Sequence, residues 1–387
     1  MCTMQLPIEL WELVIDSLDD EQTLKATSLV CRAWLSRSRL HLFRTIELCL
    51  PRHLDYLQAL LSDAPHLAPY LDTIDVSENS LIALFRPARA ILARLPYVIS
   101  SSTSAQPRRL AVHNQLWLPT RYSPDYLDSL SRLTSLTCLD MFDVTFTTVA
   151  DISMVLRALP RLTSLSAKHL DCQRQLDPTT GANIGCMLPC LTKLRVASYH
   201  PTTTIDWLLG CNDFPSIRHM DCSYELSTNN LDQGLGAFWK NTGETLERIS
   251  ISISKRSAGA RFPSGVIEQQ LDLSHCRSLR LLRLDCRHER GVAPDWTWLT
   301  WLLSHLTCNS LSSIVFAFQS SSHALACLHA FADELDDTIA AAPFRDALKS
   351  VVFEFDFQDP TDPDDRRFLD FFPSLQARNI LQGELRV

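Results

Sequence analysis

Glycine is scarce in this sequence, with only 10 glycines among 387 residues. This scarcity argues against the glycine-rich loops that cradle phosphates in nucleotide-binding proteins. None of the motifs G-x-x-x-x-G-K-S/T, G-x-G-x-x-G, H-E-x-x-H or G-x-S-x-G occurs. We therefore expect a protein that is not an enzyme, that has no catalytic residues and that needs no cofactor.

Long apolar runs are also absent. No stretch approaches the roughly 18 consecutive apolar residues that a membrane-spanning helix requires. The first ten residues, "MCTMQLPIEL", lack the positive region and the long apolar stretch of a signal peptide. We expect no membrane partner.

The cysteines show no disulfide framework, because their number is odd, 13, and their spacing is irregular. Several lie inside apolar segments, including Cys138, Cys222 and Cys286, which is typical of free thiols that act as small hydrophobes. No Asn-x-Ser/Thr glycosylation site occurs. A reducing compartment, cytoplasmic or nuclear, fits these observations best.

No residues are predicted to bind a metal. Cys186 and Cys190 lie four residues apart, but no second pair of ligands has zinc spacing. The aspartate-rich segment 356–365 is interrupted by prolines and lacks the glycine of a calcium-binding loop. The net charge of -8 and the pI of about 5.8 argue against nucleic acid as a partner.

The N-terminal segment "LPIELWELVIDSL" (6–18) has apolar residues at helical spacing, and Pro7 suits the first turn of a helix. Acidic residues at 19–21 predict the start of a second helix, and "CRAWL" (31–35) begins a third. Three helices this short cannot bury all of their apolar surface among themselves. The spare surface meets either the rest of the chain, as a helical cap, or a partner.

The segment 6–43 resembles an F-box. That family has the pattern Leu-Pro-x-Glu-Leu, then Ile and Leu, an acidic break, Leu, Val-Cys-Arg-x-Trp and a final Leu-Trp, and Phe43 replaces the last Trp here. The resemblance implies that residues 1–45 are an F-box that docks on a Skp-type adaptor within a cullin-based ubiquitin ligase. The adaptor-binding residues that it implies are Leu6, Pro7, Leu10, Ile15, Leu18, Leu24, Leu29, Val30, Cys31, Trp34, Leu42 and Phe43.

The rest of the chain repeats a Leu-x-x-Leu-x-Leu unit with conservative replacements. Eight units begin at residues 136, 162, 191, 217, 246, 279, 311 and 348, which are 26 to 37 residues apart. The segment 71–76 belongs to the same series, 107–112 is a weaker member, and "LQARNI" (375–380) is a candidate for the last one. Each unit ends in period-two alternation and predicts a strand, and helical patterns lie between the units.

This array is similar to a leucine-rich-repeat solenoid, although the asparagine that follows the strand in that family is replaced by Val144, Leu170, Tyr199, Glu225 and Ser254. We therefore predict an α/β fold in which a small N-terminal three-helix F-box (1–45) precedes a leucine-rich-repeat-like solenoid (46–387). Parallel strands are expected inside the solenoid and helices outside. An ordinary doubly wound α/β domain is the alternative.

The outward positions of the units carry more basic than acidic residues. They hold the basic candidates Lys168, Lys193, Arg195, His219, Arg248 and Arg283, and the acidic residues Asp221 and Asp285. Two interpretations remain open: an ordinary solvated sheet face, or a basic surface for an acidic or phosphorylated target. The segment "DWTWLTWLL" (295–303) supplies a second candidate surface through Trp296, Trp298 and Trp301, which otherwise pack in the core.

These features together predict the substrate-recognition subunit of an SCF-type ubiquitin ligase, which binds the adaptor and cullin core through the F-box and a protein target through the repeats. The alternative is a non-degradative interaction scaffold that uses the helices as a binding module or as a cap.

Overall fold

The computed structural model describes residues 7–77, 88–102, 104–119, 122, 125–172, 188–198, 216–226, 234–255, 271–286, 297–319, 322–356 and 370–386. Within these ranges the chain forms eleven α-helices, one 3-10 helix and thirteen β-strands. None of the described helices is both long enough and apolar enough to cross a membrane.

The N-terminal segment folds into three short helices, as predicted. They are α1 (Ile8–Asp16), α2 (Glu21–Ser28) and α3 (Arg32–Arg44), and strand β1 (Thr45–Leu48) follows α3 without a linker. The Asp20 carboxylate caps α2 by accepting a hydrogen bond of 2.7 Å from the Thr23 backbone N–H. Pro7 lies one position before the helix, as the N-cap of α1, rather than in its first turn.

Chain contacts define two compact units, one made of Met1–Ser164 and Leu170–Pro178, the other of Leu165–His169 and Thr179–Val387. The first unit holds α1–α3 together with the first repeats, so the contacts do not separate residues 1–45 as a unit of their own. Its further elements are α4 (Pro51–Asp63), the 3-10 helix Pro65–Tyr70, β2 (Thr73–Ser77), α5 (Ala88–Ser100), β3 (Arg109–Trp117), α6 (Tyr126–Ser131), β4 (Cys138–Phe146), α7 (Val149–Arg157) and β6 (Asp171–Cys172).

The second unit continues the alternation of strands and helices. Its elements are β5 (Ser164–Lys168), β7 (Lys193–Ser198), β8 (His219–Leu226), α8 (Gly234–Thr242), β9 (Arg248–Lys255), β10 (Leu281–Asp285), α9 (Thr297–His305), β11 (Ser313–Gln319), α10 (Ser322–Ala341), β12 (Ser350–Asp356), α11 (Pro373–Ala377) and β13 (Leu381–Arg386).

The strands form one parallel sheet whose order follows the sequence, apart from the two-residue strand β6, which pairs with β4. This order excludes the doubly wound alternative, because a doubly wound sheet reverses its strand order at a switch point. Consecutive helices also contact each other, α4 with α5, α5 with α6 and α9 with α10. The predicted repeat architecture, with parallel strands flanked by helices, is confirmed.

The repeat unit locates the strands closely. Each of the eight units that begin at 136, 162, 191, 217, 246, 279, 311 and 348 has its strand starting at the third residue of the unit. The second residue bonds to the same position of the preceding unit: the Lys349 N–H donates to the Ser312 carbonyl at 2.9 Å, and the Arg280 N–H to the Glu247 carbonyl at 2.8 Å. Equivalent residues thus stack on neighbouring strands.

The apolar positions of the units form the core. Their side chains are almost completely buried and include Leu139, Met141, Leu194, Val196, Ile249, Ile251, Leu282, Leu284, Ile314 and Phe316. Near the C-terminus the ladder becomes aromatic, because the ring of Phe353 lies 5.2 Å from that of Phe316 and 4.7 Å from that of Phe372. Stacked apolar side chains of this kind hold successive repeats together.

One member of the predicted series is wrong. The segment 375–380 is not a strand, because Leu375 lies in α11 and the last strand begins at Leu381. At two of the positions where the leucine-rich-repeat family has asparagine, this chain has buried apolar side chains instead, Val144 and Leu170. Tyr199 lies outside the described residues.

Candidate functional site

Large apolar side chains are exposed on α1 and in the turn that follows α2. We call this set the apolar patch: Ile8, Leu10, Leu13, Val14, Leu29 and Val30. Leu13 is 63% exposed and Leu29 is 85% exposed, which is unusual for leucine. Residues 10, 13 and 14 share one face of α1 because they are three and four positions apart. The spare apolar surface that the sequence predicted is therefore present.

The opposite surfaces of these helices form a small core. Ile15 is 1% exposed and Leu24 is 6% exposed, and the ring of Trp11 lies 4.8 Å from that of Trp34. The assignment of Ile15 and Leu24 to a docking surface is corrected by this burial, because both side chains stabilise the three helices instead. Sequence spacing could not distinguish them from Leu10 and Leu29, since all four are leucine or isoleucine within or next to amphipathic helices.

The remaining candidates of this set have intermediate positions. Pro7 and Cys31 are exposed, and the side chains of Leu18, Trp34, Leu42 and Phe43 are partly buried. Leu6 lies outside the described residues.

A charged contact that the sequence did not predict joins α1 to α3. The Asp16 carboxylate accepts hydrogen bonds from the Arg37 guanidinium, one of them at 2.5 Å, and lies 2.8 Å from Nε2 of His41. The Arg37 hydrogen bond, and then that of His41, lower the pKa of Asp16 well below its ordinary value of 3.8. This contact fixes α1 against α3 and so holds the face of α1 that carries the apolar patch.

On the sheet, strand register brings three of the predicted basic residues together. Lys193 pairs with His219, and His219 pairs with Arg248, at equivalent positions of β7, β8 and β9. We call this set the basic row. Neighbouring strands lie about 4.8 Å apart, so the three residues occupy the same face within about 10 Å.

Two other predicted residues already have acidic partners. Arg195 donates to the Asp221 carboxylate at 2.9 and 3.0 Å, and both side chains are about half exposed. Arg283 donates to both oxygens of Glu354 at 2.7 and 2.6 Å, and the Glu354 side chain is only 8% exposed. These ion pairs make Arg195 and Arg283 weaker candidates for contacting a target than the basic row, because both charges are neutralised within the chain.

Lys168 lies away from the basic row. The residue after it, His169, donates its backbone N–H to the Ala197 carbonyl at 2.6 Å. Ala197 is four residues beyond Lys193 on β7, a distance of about 13 Å along the strand. Lys168 is therefore at the other end of the strand face.

The pKa of His219 is lowered by the groups that surround it. Burial lowers the pKa of His219 first, and the positive charges of Arg248 and Lys193 lower it further. Glu247 and Asp221 act in the opposite direction but do not outweigh these causes. His219 thus lies between two cations on the neighbouring strands, in a chain of negative net charge.

The corresponding face of the first unit carries three carboxylates, which the outward positions considered from the sequence, beginning at residue 168, did not include. Glu47, Asp75 and Asp140 occupy equivalent positions on β1, β2 and β4. Partial burial raises the pKa of Asp75, and His113, 3.5 Å away, counteracts that rise. Reading the fifth residue of the units at 71 and 136 would have found two of these carboxylates.

The tryptophan segment behaves mostly as core. Trp298 is 4% exposed and packs inside, whereas Trp301 is partly buried and stacks on His305 at a ring distance of 4.4 Å. Trp296 lies outside the described residues. The buried Trp298 therefore does not contribute to an exposed aromatic surface.

No group of three or more His, Cys, Asp or Glu residues that could hold a metal occurs in the described ranges. Cys186 and the aspartates at 359–365 lie outside those ranges. The nine cysteines whose side chains the structure describes are free thiols, and burial raises the pKa of Cys222 to about 12. This thiol is thus an inert part of the core.

Comparisons with known proteins give little further information. No family model matches the chain, and no curated protein matches it. Among solved structures, the chain is similar to a Bacteroides fragilis protein determined by a structural genomics consortium, with 12% sequence identity and a TM-score of 0.34. The alignment covers 72% of this chain and 65% of that chain. A likeness this weak carries no argument about function.

Proposed function

We propose that this protein is the substrate-recognition subunit of a cullin-based, SCF-type ubiquitin ligase. Its N-terminal helices bind a Skp-type adaptor, and its repeats bind a protein target. The single observation that carries the proposal is the exposed apolar patch on helices whose sequence resembles an F-box.

The apolar patch costs free energy while it faces water. Burying a leucine or valine side chain is worth about 1.5–3 kcal/mol, so six such side chains supply a large driving force for association. The three helices do not need these side chains for their own folding, because Ile15, Leu24 and the Trp11–Trp34 contact provide a separate core. A surface of this kind is typical of helices that bind a partner.

The Asp16 contact supports the same proposal. Arg37 and His41 on α3 hold the Asp16 carboxylate at the end of α1, so the side chains of the apolar patch are presented by a fixed backbone. A pre-organised surface loses less conformational entropy on binding than a flexible one.

Adaptor binding is tested with the purified full chain and a Skp-type adaptor. The substitutions Leu13→Asp and Leu29→Asp place charges in the apolar patch, and both side chains are exposed enough to leave the fold intact. Each substitution at a central contact should cost about 2 kcal/mol or more, which is roughly a 30-fold loss of affinity. Tyr56→Asp is the matched control, because Tyr56 is 68% exposed on α4, outside the three helices.

The expected result is adaptor binding by the wild type and by Tyr56→Asp, and little binding by the double substitution. No binding by the wild type, or equal binding by all three proteins, would contradict the proposal. Ubiquitination is tested separately, by adding the reconstituted ligase to targets found by proximity labelling. Adaptor binding without any target ubiquitination would favour the interaction scaffold.

A further inference from the structure

The basic row has a geometry that suits one anionic group. Its three side chains leave the same face of β7, β8 and β9, at positions that the strand register makes equivalent. Lys193 and Arg248 are exposed at the two ends of the row, and His219 is partly buried between them. An anion above His219 can therefore be contacted from both sides.

The carboxylates nearest to the row are engaged elsewhere. Asp221 accepts from Arg195, and Glu247 lies 3.3 Å from the guanidinium of Arg218. Within the described part of the chain, neither Lys193 nor Arg248 lies within 4.0 Å of a carboxylate oxygen. The positive charges of Lys193 and Arg248 thus have no carboxylate partner within the described part, whereas that of Arg283 is compensated by Glu354.

We propose that the basic row binds a phosphorylated side chain, or a cluster of carboxylates, within an extended acidic peptide segment. Arginine supplies a planar fork that fits a phosphate or a carboxylate, and lysine adds a charge that can move toward it. The inference rests on the proposed function only for the origin of the peptide, which is a segment of the target protein.

The size and surroundings of the row favour a peptide over a nucleic acid. Three basic residues on adjacent strands span about 10 Å, which accommodates one phosphate or two carboxylates rather than a phosphate backbone. Asp221 and Glu247 flank the row, so the row of basic residues does not continue along the face as binding to a phosphate backbone would require. The chain as a whole is also negative, with a net charge of -8.

The binding test uses fluorescence anisotropy with the full chain. The probes are a labelled, otherwise uncharged peptide with one phosphoserine, the same peptide with serine, and the same peptide with two adjacent glutamates in that place. We expect the phosphoserine and glutamate peptides to bind more tightly than the serine peptide, and binding to weaken as salt is added. Comparison of the phosphoserine and glutamate peptides distinguishes the two sources of negative charge.

The variant Lys193→Ser/Arg248→Ser should bind the phosphoserine peptide at least about tenfold more weakly. Its charge-matched control is Lys240→Ser/Lys349→Ser, which removes the same charge from exposed positions on α8 and just before β12. Equal losses in both variants would indicate a non-specific charge effect and would overturn the inference.

A second readout detects the site itself. A bound anion favours the protonated imidazole, so the pKa of His219, followed by NMR of labelled histidine, should rise when the phosphoserine peptide is added. The Lys193→Ser/Arg248→Ser variant should lose this response. An unchanged His219 titration would overturn the site even if peptide binds elsewhere. Neither measurement involves the adaptor, so failure here is distinguishable from failure of the adaptor pull-down.

Discussion

The buried ion pair between Arg283 and Glu354 allows a quantitative test of the view that Arg283 is structural. The arginine on β10 reaches across β11 to β12 and donates to both carboxylate oxygens at 2.7 and 2.6 Å. The side chains are 24% and 8% exposed. Two residues that are 71 positions apart in sequence thus connect three repeats.

The cost of breaking this pair follows from its burial. Removing one partner of a buried ion pair leaves a charge without its counter-ion and typically costs 3–5 kcal/mol. The guanidinium keeps some access to water, so we take the lower end, about 3 kcal/mol. For a unit as large as the second compact unit, each kcal/mol of lost unfolding free energy lowers the melting temperature by about 2–4 °C. A loss of about 3 kcal/mol therefore predicts a decrease of roughly 6–12 °C.

The perturbation is Glu354→Gln, measured by thermal and denaturant unfolding with circular dichroism. Arg195→Ser is the control, because it removes an arginine from an ion pair whose side chains are about half exposed and should cost less than about 1 kcal/mol. The double substitution Arg283→Met/Glu354→Leu replaces the pair with apolar side chains and should recover most of the loss. Hydrogen exchange of β10–β12 shows whether the loss is local.

Two outcomes would refute this reasoning. If Glu354→Gln were no more destabilising than Arg195→Ser, the pair would contribute little and Arg283 would be available for a target. If the double substitution were as destabilising as Glu354→Gln, the cost would come from altered packing rather than from the unpaired charge.

Two further predictions concern stability. Because the pKa of Asp16 is lowered, its stabilising contact is complete above the ordinary aspartate pKa and is lost progressively as the pH falls from there toward the lowered value. Helicity of the N-terminal segment and adaptor binding should therefore decrease in acid, and Asp16→Asn should remove that dependence while weakening the helices at neutral pH. Wild-type helicity and binding that do not change with pH would contradict this prediction. Gly243→Ala would place a Cβ 2.5 Å from the carbonyl oxygen of His275, so it should lower the melting temperature. The control Asn241→Ala, at an exposed position, should not. Equal melting temperatures would show that the backbone at His275 can move to accommodate the added Cβ.

The repeat strands could be predicted because their pattern is local. A leucine-rich unit with period-two alternation specifies which residues face the core, so each strand of the eight main units begins where the spacing indicates. The start of α2 was also local, because acidic residues stabilise a helix N-terminus and Asp20 caps it.

The incorrect last unit shows where local pattern fails. The segment 375–380 begins with a leucine, but Pro373 starts a helix there, and the carboxylate of Asp336 accepts hydrogen bonds from the backbone N–H groups of Ser374 and Leu375 at 2.9 and 3.2 Å. Asp336 lies on α10, 38 and 39 residues away. The cap comes from another element, so no reading of the segment alone could supply it.

Sequence spacing determined that the basic candidates share the outward face of the sheet. Strand register and ion pairing determined which of them lie together and which are paired with a carboxylate. Lys193, His219 and Arg248 became a row because β7, β8 and β9 pair at those residues. Arg283 is a weaker candidate because of Glu354, a residue 71 positions away that the folded sheet places next to it.

The same division holds for the N-terminal helices. Amphipathic spacing specified three helices with more apolar surface than they can bury, which is a property of composition and period. It could not specify that Leu24 lies inside and Leu29 outside, because both are leucines near the same helix. Burial depends on what packs against each face, and only the folded arrangement of α1, α2 and α3 determines that.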